Sequence, residues 1–143
     1  MVKKIFLVLI CLIGLIIFVS TLHGQGSKKT ITLPNGEVVF DLNGEWEALY
    51  EFYGLRSDFG SYPQIVKITQ EGSSLVGIRM MDDPYNPKGW EAIRGELDKS
   101  GFKKVQMISA PTHQIDSKGT ISGDGNKIII DNGEYLRLTL TRK

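Results

Sequence analysis

The sequence predicts an all-β domain, an eight-stranded antiparallel up-and-down barrel, and three observations carry that expectation. Turn signals recur at short intervals: Pro34-Asn35-Gly36, Glu71-Gly72-Ser73-Ser74, Asp98-Lys99-Ser100-Gly101, Asp124-Gly125-Asn126 and Asn132-Gly133. Asn-Gly and Asp-Gly supply the positive-φ positions that tight hairpins demand. Between the turns lie runs of strand length in which apolar and polar residues alternate, the period of a strand with one buried face. No segment sustains a helical period over ten or more residues.

Taken in order, residues 30–33 and 37–40 form a short leading pair, and eight longer runs follow. Residues 45–53 set Trp46, Ala48, Tyr50 and Phe52 against Glu45, Glu47 and Glu51. Residues 64–70 set Val66 and Ile68 against Lys67 and Thr69. Residues 75–81 are expected to turn Val76, Ile78 and Met80 inward and Arg79 outward. Residues 91–97 and 102–108 offer Ile93, Leu97, Val105 and Met107 to the core. The stretch "SAPTHQIDSKG" reads as a loop, followed by short strands at 120–122 and 127–131. Residues 135–142 close the series with Leu136, Leu138 and Leu140 on one face. Hairpin-linked strands of this kind must close or pair face to face, and closure removes the open edges. A two-sheet sandwich is the alternative.

The N-terminus is of another character. After Lys3 and Lys4, residues 5–19 read "IFLVLICLIGLIIFV" without a polar break, and "STLHGQG" follows. A charged start, an apolar run and small residues at the end describe a secretory signal peptide over residues 1–26. Gly24 and Gly26 fit the places before a cut, leaving Ser27 first. An uncleaved anchor is the competing reading, since residues 5–22 reach the short edge of a membrane-spanning length. Either way the chain is expected to be exported, periplasmic or extracellular, with residues 27–143 forming a single domain. Any membrane contact would run through the N-terminal segment.

Cys11 lies within that apolar run and is the chain's one cysteine, so the domain has no disulfide, thiolate nucleophile or cysteine-based metal site. Without Lys3 and Lys4, fifteen basic side chains stand against sixteen acidic ones, and no basic stripe marks a nucleic-acid partner. His113 is the domain's only histidine, and nothing in the sequence pairs it with a marked nucleophile, so no enzyme activity and no cofactor are expected. A histidine-based zinc site is ruled out by the same count. Asp82-Asp83 and "SGDGNK" lack the spacing of a calcium loop and read as turns.

"NGEW", residues 43–46, at the head of an alternating strand resembles the opening of the calycin superfamily, which holds the lipocalins, avidins and fatty-acid-binding proteins. In that superfamily the Gly-x-Trp tryptophan closes the narrow end of the barrel and a last-strand arginine lies across it. The resemblance implies that role for Gly44, Trp46 and Arg142, the last of which shares the parity of Leu136, Leu138 and Leu140. It implies no particular member family: the Thr-Asp-Tyr turn motif and a trailing helix are both missing.

A lipocalin-like barrel of this kind would bind a small apolar molecule at its open end. The longest connection, "GLRSDFGSYP", would be the lid, with Phe59 and Tyr62 giving it an apolar character. Tyr85 in "MMDDPYNPKGW" would form an opposing rim. The ligand would lie against Tyr50, Phe52, Ile78, Met80 and Leu136. The alternative is a solid barrel acting on a protein partner, similar in plan to the small periplasmic protease inhibitors. Residues 27–42 would then have to serve as a free arm, although their own turn signal argues that they are tied down.

Overall fold

A computed structural model describes residues 28–143; the expected signal peptide or anchor lies outside the described residues. Eight antiparallel strands close into a barrel, as the sequence predicts. In chain order these strands are β3 (Gly44–Phe52), β4 (Ser61–Glu71), β5 (Ser74–Arg79), β6 (Glu91–Asp98), β7 (Gly101–Ala110), β8 (His113–Ile121), β9 (Lys127–Asp131) and β10 (Leu136–Arg142). Each pairs with its sequence neighbours, and β10 returns to pair with β3. A two-stranded hairpin of β1 (Thr30–Thr32) and β2 (Val38–Phe40) precedes them.

This hairpin covers one end of the barrel. Leu33 stands over the β4–β5 turn at Gly72, and Phe40 over the β8–β9 turn at Gly125. A Glu37 carboxylate oxygen accepts the Lys99 N–H from the β6–β7 turn at 2.6 Å. Gln70, buried on the inner face of β4, completes the seam: its amide nitrogen donates to the carbonyls of Phe40 and Gly72, and its oxygen accepts the Leu42 N–H. A buried amide that satisfies both its donors and its acceptor stabilises rather than burdens a core.

The interior above this end is filled. Phe102 occupies the space left by two inward glycines. A Cβ at Gly119 would stand 2.5 Å from the Phe102 ring, and one at Gly95 3.1 Å from it. Leu75, Ile93, Leu97, Val105, Ile128 and Ile130 pack around it with almost no exposure. The barrel is therefore solid over its lower part, as an eight-stranded barrel of this size can be.

Two strands depart from expectation. In β5 the buried side is Leu75, Gly77 and Arg79, while Val76 and Ile78 are only half-buried on the outer face. The cause is register. Gly72-Ser73 makes a two-residue turn that pairs Glu71 with Ser74, hence Gln70 with Leu75, Ile68 with Gly77 and Val66 with Arg79. Directly opposed residues share a face, so the inward parity of β4 is imposed on β5 whatever its side chains. Gly77 is needed there, because a Cβ would lie 2.6 Å from Ile93 and 2.8 Å from Val66.

The other departure is β8. It runs from His113 to Ile121 through the stretch read as a loop, with only Pro111-Thr112 left as its turn. Its inward residues are Ile115, Ser117, Gly119 and Ile121, opposite Met107, Val105, Ile130 and Ile128. Two of the four are small or polar, which hides the alternation.

Candidate functional site

The end of the barrel away from the hairpin is hollow. A cavity of about 240 Å³ opens there, between the lid segment and the loop after β5. Its wall is mainly aromatic. Tyr50 and Phe52 come from β3, Tyr62 from β4, Phe59 from the lid and Tyr85 from the β5–β6 loop. Leu136, Met107 and Ile115 add aliphatic surface from β10, β7 and β8. Arg56, His113 and Tyr135 stand at the mouth.

The rings form a connected set. Tyr50 and Tyr62 stack with centroids 4.9 Å apart and planes 14° from parallel. Phe52 touches Phe59 at 5.3 Å, Tyr85 at 5.9 Å and Tyr62 at 6.4 Å. Phe59 and Tyr85 meet at 5.8 Å, joining lid to loop. These separations lie in the attractive range for offset and tilted aromatic pairs. The lid itself is a 3-10 turn, Gly54–Phe59, bounded by positive-φ glycines at 54 and 60. Leu55 projects fully into solvent, so it does not seal the core.

At the floor lies a buried ion pair. Arg79 Nε donates to Asp83 Oδ2 at 3.1 Å, and the two side chains are 2% and 1% exposed. The remaining guanidinium nitrogens donate to the carbonyls of Ile108 and Glu91 and to the Tyr50 hydroxyl. Asp83 is equally committed. Gln64 Nε2 donates to its Oδ2, and the N–H groups of Tyr85 and Asn86 donate to its Oδ1. A buried charge pair is tolerable only when its spare donors and acceptors are satisfied in this way. One carboxylate thus holds both the arginine and the loop that carries Tyr85.

Burial pushes the Tyr50 hydroxyl up to about 12, with Arg79 pulling the other way, and burial raises that of Tyr62 as well. Both rings are neutral at any ordinary pH. A phenol whose folded pKa exceeds its unfolded value of about 10 keeps its full stability below pH 10 and loses it as pH rises. For Tyr50, a rise from about 10 to about 12 corresponds to roughly 2–3 kcal/mol, lost across that pH window. Urea midpoints of the wild type should therefore fall more steeply across that window than those of the Tyr50→Phe, Tyr62→Phe double variant. Parallel curves would rule the linkage out.

Of the residues that sequence reasoning placed at the ligand, Tyr50, Phe52, Phe59, Tyr62, Tyr85 and Leu136 line the cavity. Ile78 and Met80 do not. Ile78 sits on the outer face of β5 opposite Lys67, for the register reason above, and Met80 follows just beyond the strand end. Arg79 takes the inward place instead. Trp90 also lies apart, in a separate groove with Arg94 and Pro111. Reasoning from the sequence missed Arg79, Asn86, His113 and Ile115. For Arg79 the β4–β5 hairpin register was a usable signal; for Asn86 there was none.

At the opposite end, Trp46 is fully buried and its indole N–H donates to the Leu42 carbonyl at 3.0 Å. Arg142 pairs with Trp46 across β10 and β3, and its guanidinium carbon lies 4.4 Å from the indole centroid. The guanidinium donates to the carbonyls of Asn43, Asp41 and Gly125 at 3.0, 2.8 and 3.3 Å. Gly44 has φ of 126°, a conformation that side-chain-bearing residues rarely adopt. The chain matches no protein-family model, no curated protein and no solved structure.

Proposed function

We propose that this protein is an exported, lipocalin-like barrel that binds a small, flat, largely apolar molecule at its open end. The observation that carries this reading is the 240 Å³ cavity walled by five aromatic rings above an otherwise filled core. Binding sites are commonly concave and apolar with few polar groups. A cavity of about 150 Å³ takes up benzene, so this one suits a ligand of one or two rings. Trp46 and Arg142 then serve as the closed end, as the calycin resemblance implies.

Size also sets the affinity to look for. A ring system of tryptophan size buries up to about 250 Å². At about 25 cal/mol per Å² that gains roughly 6 kcal/mol before the costs of association. That ceiling is a dissociation constant of about 40 μM, and the costs of association move it toward the millimolar range. The free-arm inhibitor reading draws no support from the N-terminus, where β1 and β2 pair with each other over the closed end.

Native mass spectrometry tests the proposal. The full coding sequence would be expressed in a bacterium and the exported product compared under native and denaturing conditions. With indole added at millimolar concentration, an adduct present only in the native spectrum is the expected result. A bare protein that also takes up no aromatic probe at millimolar concentration would overturn it.

A further inference from the structure

Tyr62 carries a spare hydrogen-bond donor into the cavity. Its ring stands on the inner face of β4, opposite Tyr50 across the β3–β4 pair, and is 8% exposed. Stacking on Tyr50 and contact with Phe52 and Tyr85 fix it in the aromatic wall. Among the described residues its hydroxyl has no hydrogen-bond partner. It is not sealed away either: the one buried side-chain atom that is both unpartnered and closed to water is Asn86 Oδ1. Water therefore reaches the Tyr62 oxygen, and for a ring turned into the barrel it does so through the cavity that the ring lines.

The polar groups around it are already engaged. The Tyr50 oxygen accepts from Arg79, and the Tyr85 hydroxyl donates to the Phe59 carbonyl. Gln64 and Asp83 are taken up by each other, by Arg79 and by backbone groups. Burial raises the pKa of the Tyr62 hydroxyl, so its proton is in place at any ordinary pH. A phenol oxygen shares a lone pair with its ring, which makes it a better donor than acceptor. A molecule that fills the cavity displaces water from this hydroxyl. Affinity is lost unless that molecule puts an acceptor in the same place.

Charge narrows the choice of acceptor. The enclosed cation, Arg79, is matched by Asp83, and no carboxylate lines the cavity. A carboxylate beside Tyr62 would be a third buried charge without a counter-ion, whereas a carbonyl oxygen needs only the donor. Arg56 and His113 are exposed at the mouth, where water screens them.

We infer that the occupant of this cavity is an uncharged one- or two-ring molecule whose carbonyl oxygen accepts a hydrogen bond from the Tyr62 hydroxyl. The inference rests on the reading of the cavity as a ligand site and adds the chemical group recognised there.

Three probes of one shape test it on the exported protein: 1-indanone, indane and indane-1-carboxylate. Each is titrated against the protein's amide NMR signals, which report binding whether or not the probe absorbs light. Ring and stacking survive in Tyr62→Phe, and no protein hydrogen bond is lost, so that variant should fold; thermal melting is the check. The preference for indanone over indane should fall roughly fivefold or more in Tyr62→Phe, because the bound carbonyl is left without a donor. The carboxylate should bind the wild type more weakly than the ketone. The wild type alone gives a second reading, the infrared carbonyl stretch of bound indanone, which should lie below its value in an alkane. A stretch at the alkane value, or the same preference in both proteins, would overturn the role of Tyr62 while leaving the cavity a ligand site. Tightest binding of the carboxylate would overturn the uncharged class. Binding of none of the three would remove the ligand-site reading and this inference with it.

Discussion

Asp83→Ala is expected to lower the unfolding free energy by about 3–5 kcal/mol, the usual cost of leaving one half of a buried ion pair alone. Four hydrogen bonds would go with the carboxylate: those from Arg79, Gln64, Tyr85 and Asn86. The Arg79 charge would remain at 2% exposure with only carbonyls and a hydroxyl around it. A second substitution sharpens the argument. Asp83→Asn keeps an acceptor for the turn but removes the counter-charge, so adding Arg79→Met should raise stability rather than lower it further. Replacing a whole buried pair by apolar groups is often neutral or favourable by about 1–4 kcal/mol. Urea unfolding of the single and double variants reads this directly. If the two effects simply add as losses, the pair is not the unit described here.

The same pair shows where the sequence was legible and where it was not. The strand series could be read because most hairpins carry Gly turns and most strands expose one apolar face. Trp46, Tyr50 and Phe52 could be placed on the inner face by alternation alone, and the stacking partner Arg142 by its parity with Leu140. Alternation failed in β5 because the inward positions hold a glycine and an arginine while valine and isoleucine face out. Those two residues are partly covered on the outer surface, so the apolar pattern points the wrong way. The turn did carry the answer: with Ile68 inward and Glu71 opposite Ser74, Gly77 and Arg79 had to be inward too. Register is a harder constraint than hydrophobicity, because a slip by one residue would turn the whole strand over.

Strand β8 failed for a different reason. Its interior neighbour Phe102 is large, so the inward residue opposite Ile130 has to be Gly119, and no apolar side chain marks the position. A strand that accommodates its neighbours' bulk leaves little pattern of its own. Asn86 was out of reach altogether. The Asp83 turn that carries it is local and reads as a turn, but the cavity beside it is assembled from β3, β4, β7, β8, β10 and the lid, which no local pattern announces. The aromatic residues around the mouth were visible, but the asparagine beside them was not.

Trp46→Ala is the second large effect, and it separates the two ends of the barrel. Removing a fully buried tryptophan should cost about 3–5 kcal/mol through lost burial and the cavity left behind. Part of that belongs to Arg142, whose cation over the indole is worth about 0.5–2 kcal/mol depending on desolvation. A double-mutant cycle of Trp46→Leu with Arg142→Met, which remove the ring and the cation, isolates that share. Arg142 has other work as well, since its three carbonyl acceptors tie the last strand to residues 41, 43 and 125. Arg142→Met should therefore remain costly even in the Trp46→Leu background. The closed end lies about 20 Å along β3 from Phe52 at the mouth, given the rise of a strand. Variants at Trp46 that still fold should then bind aromatic probes as the wild type does, while their urea midpoints fall. Loss of probe binding in step with stability would mean that the two ends are one cooperative element. Unchanged binding would establish that the plug holds the barrel shut and the other end does the recognising.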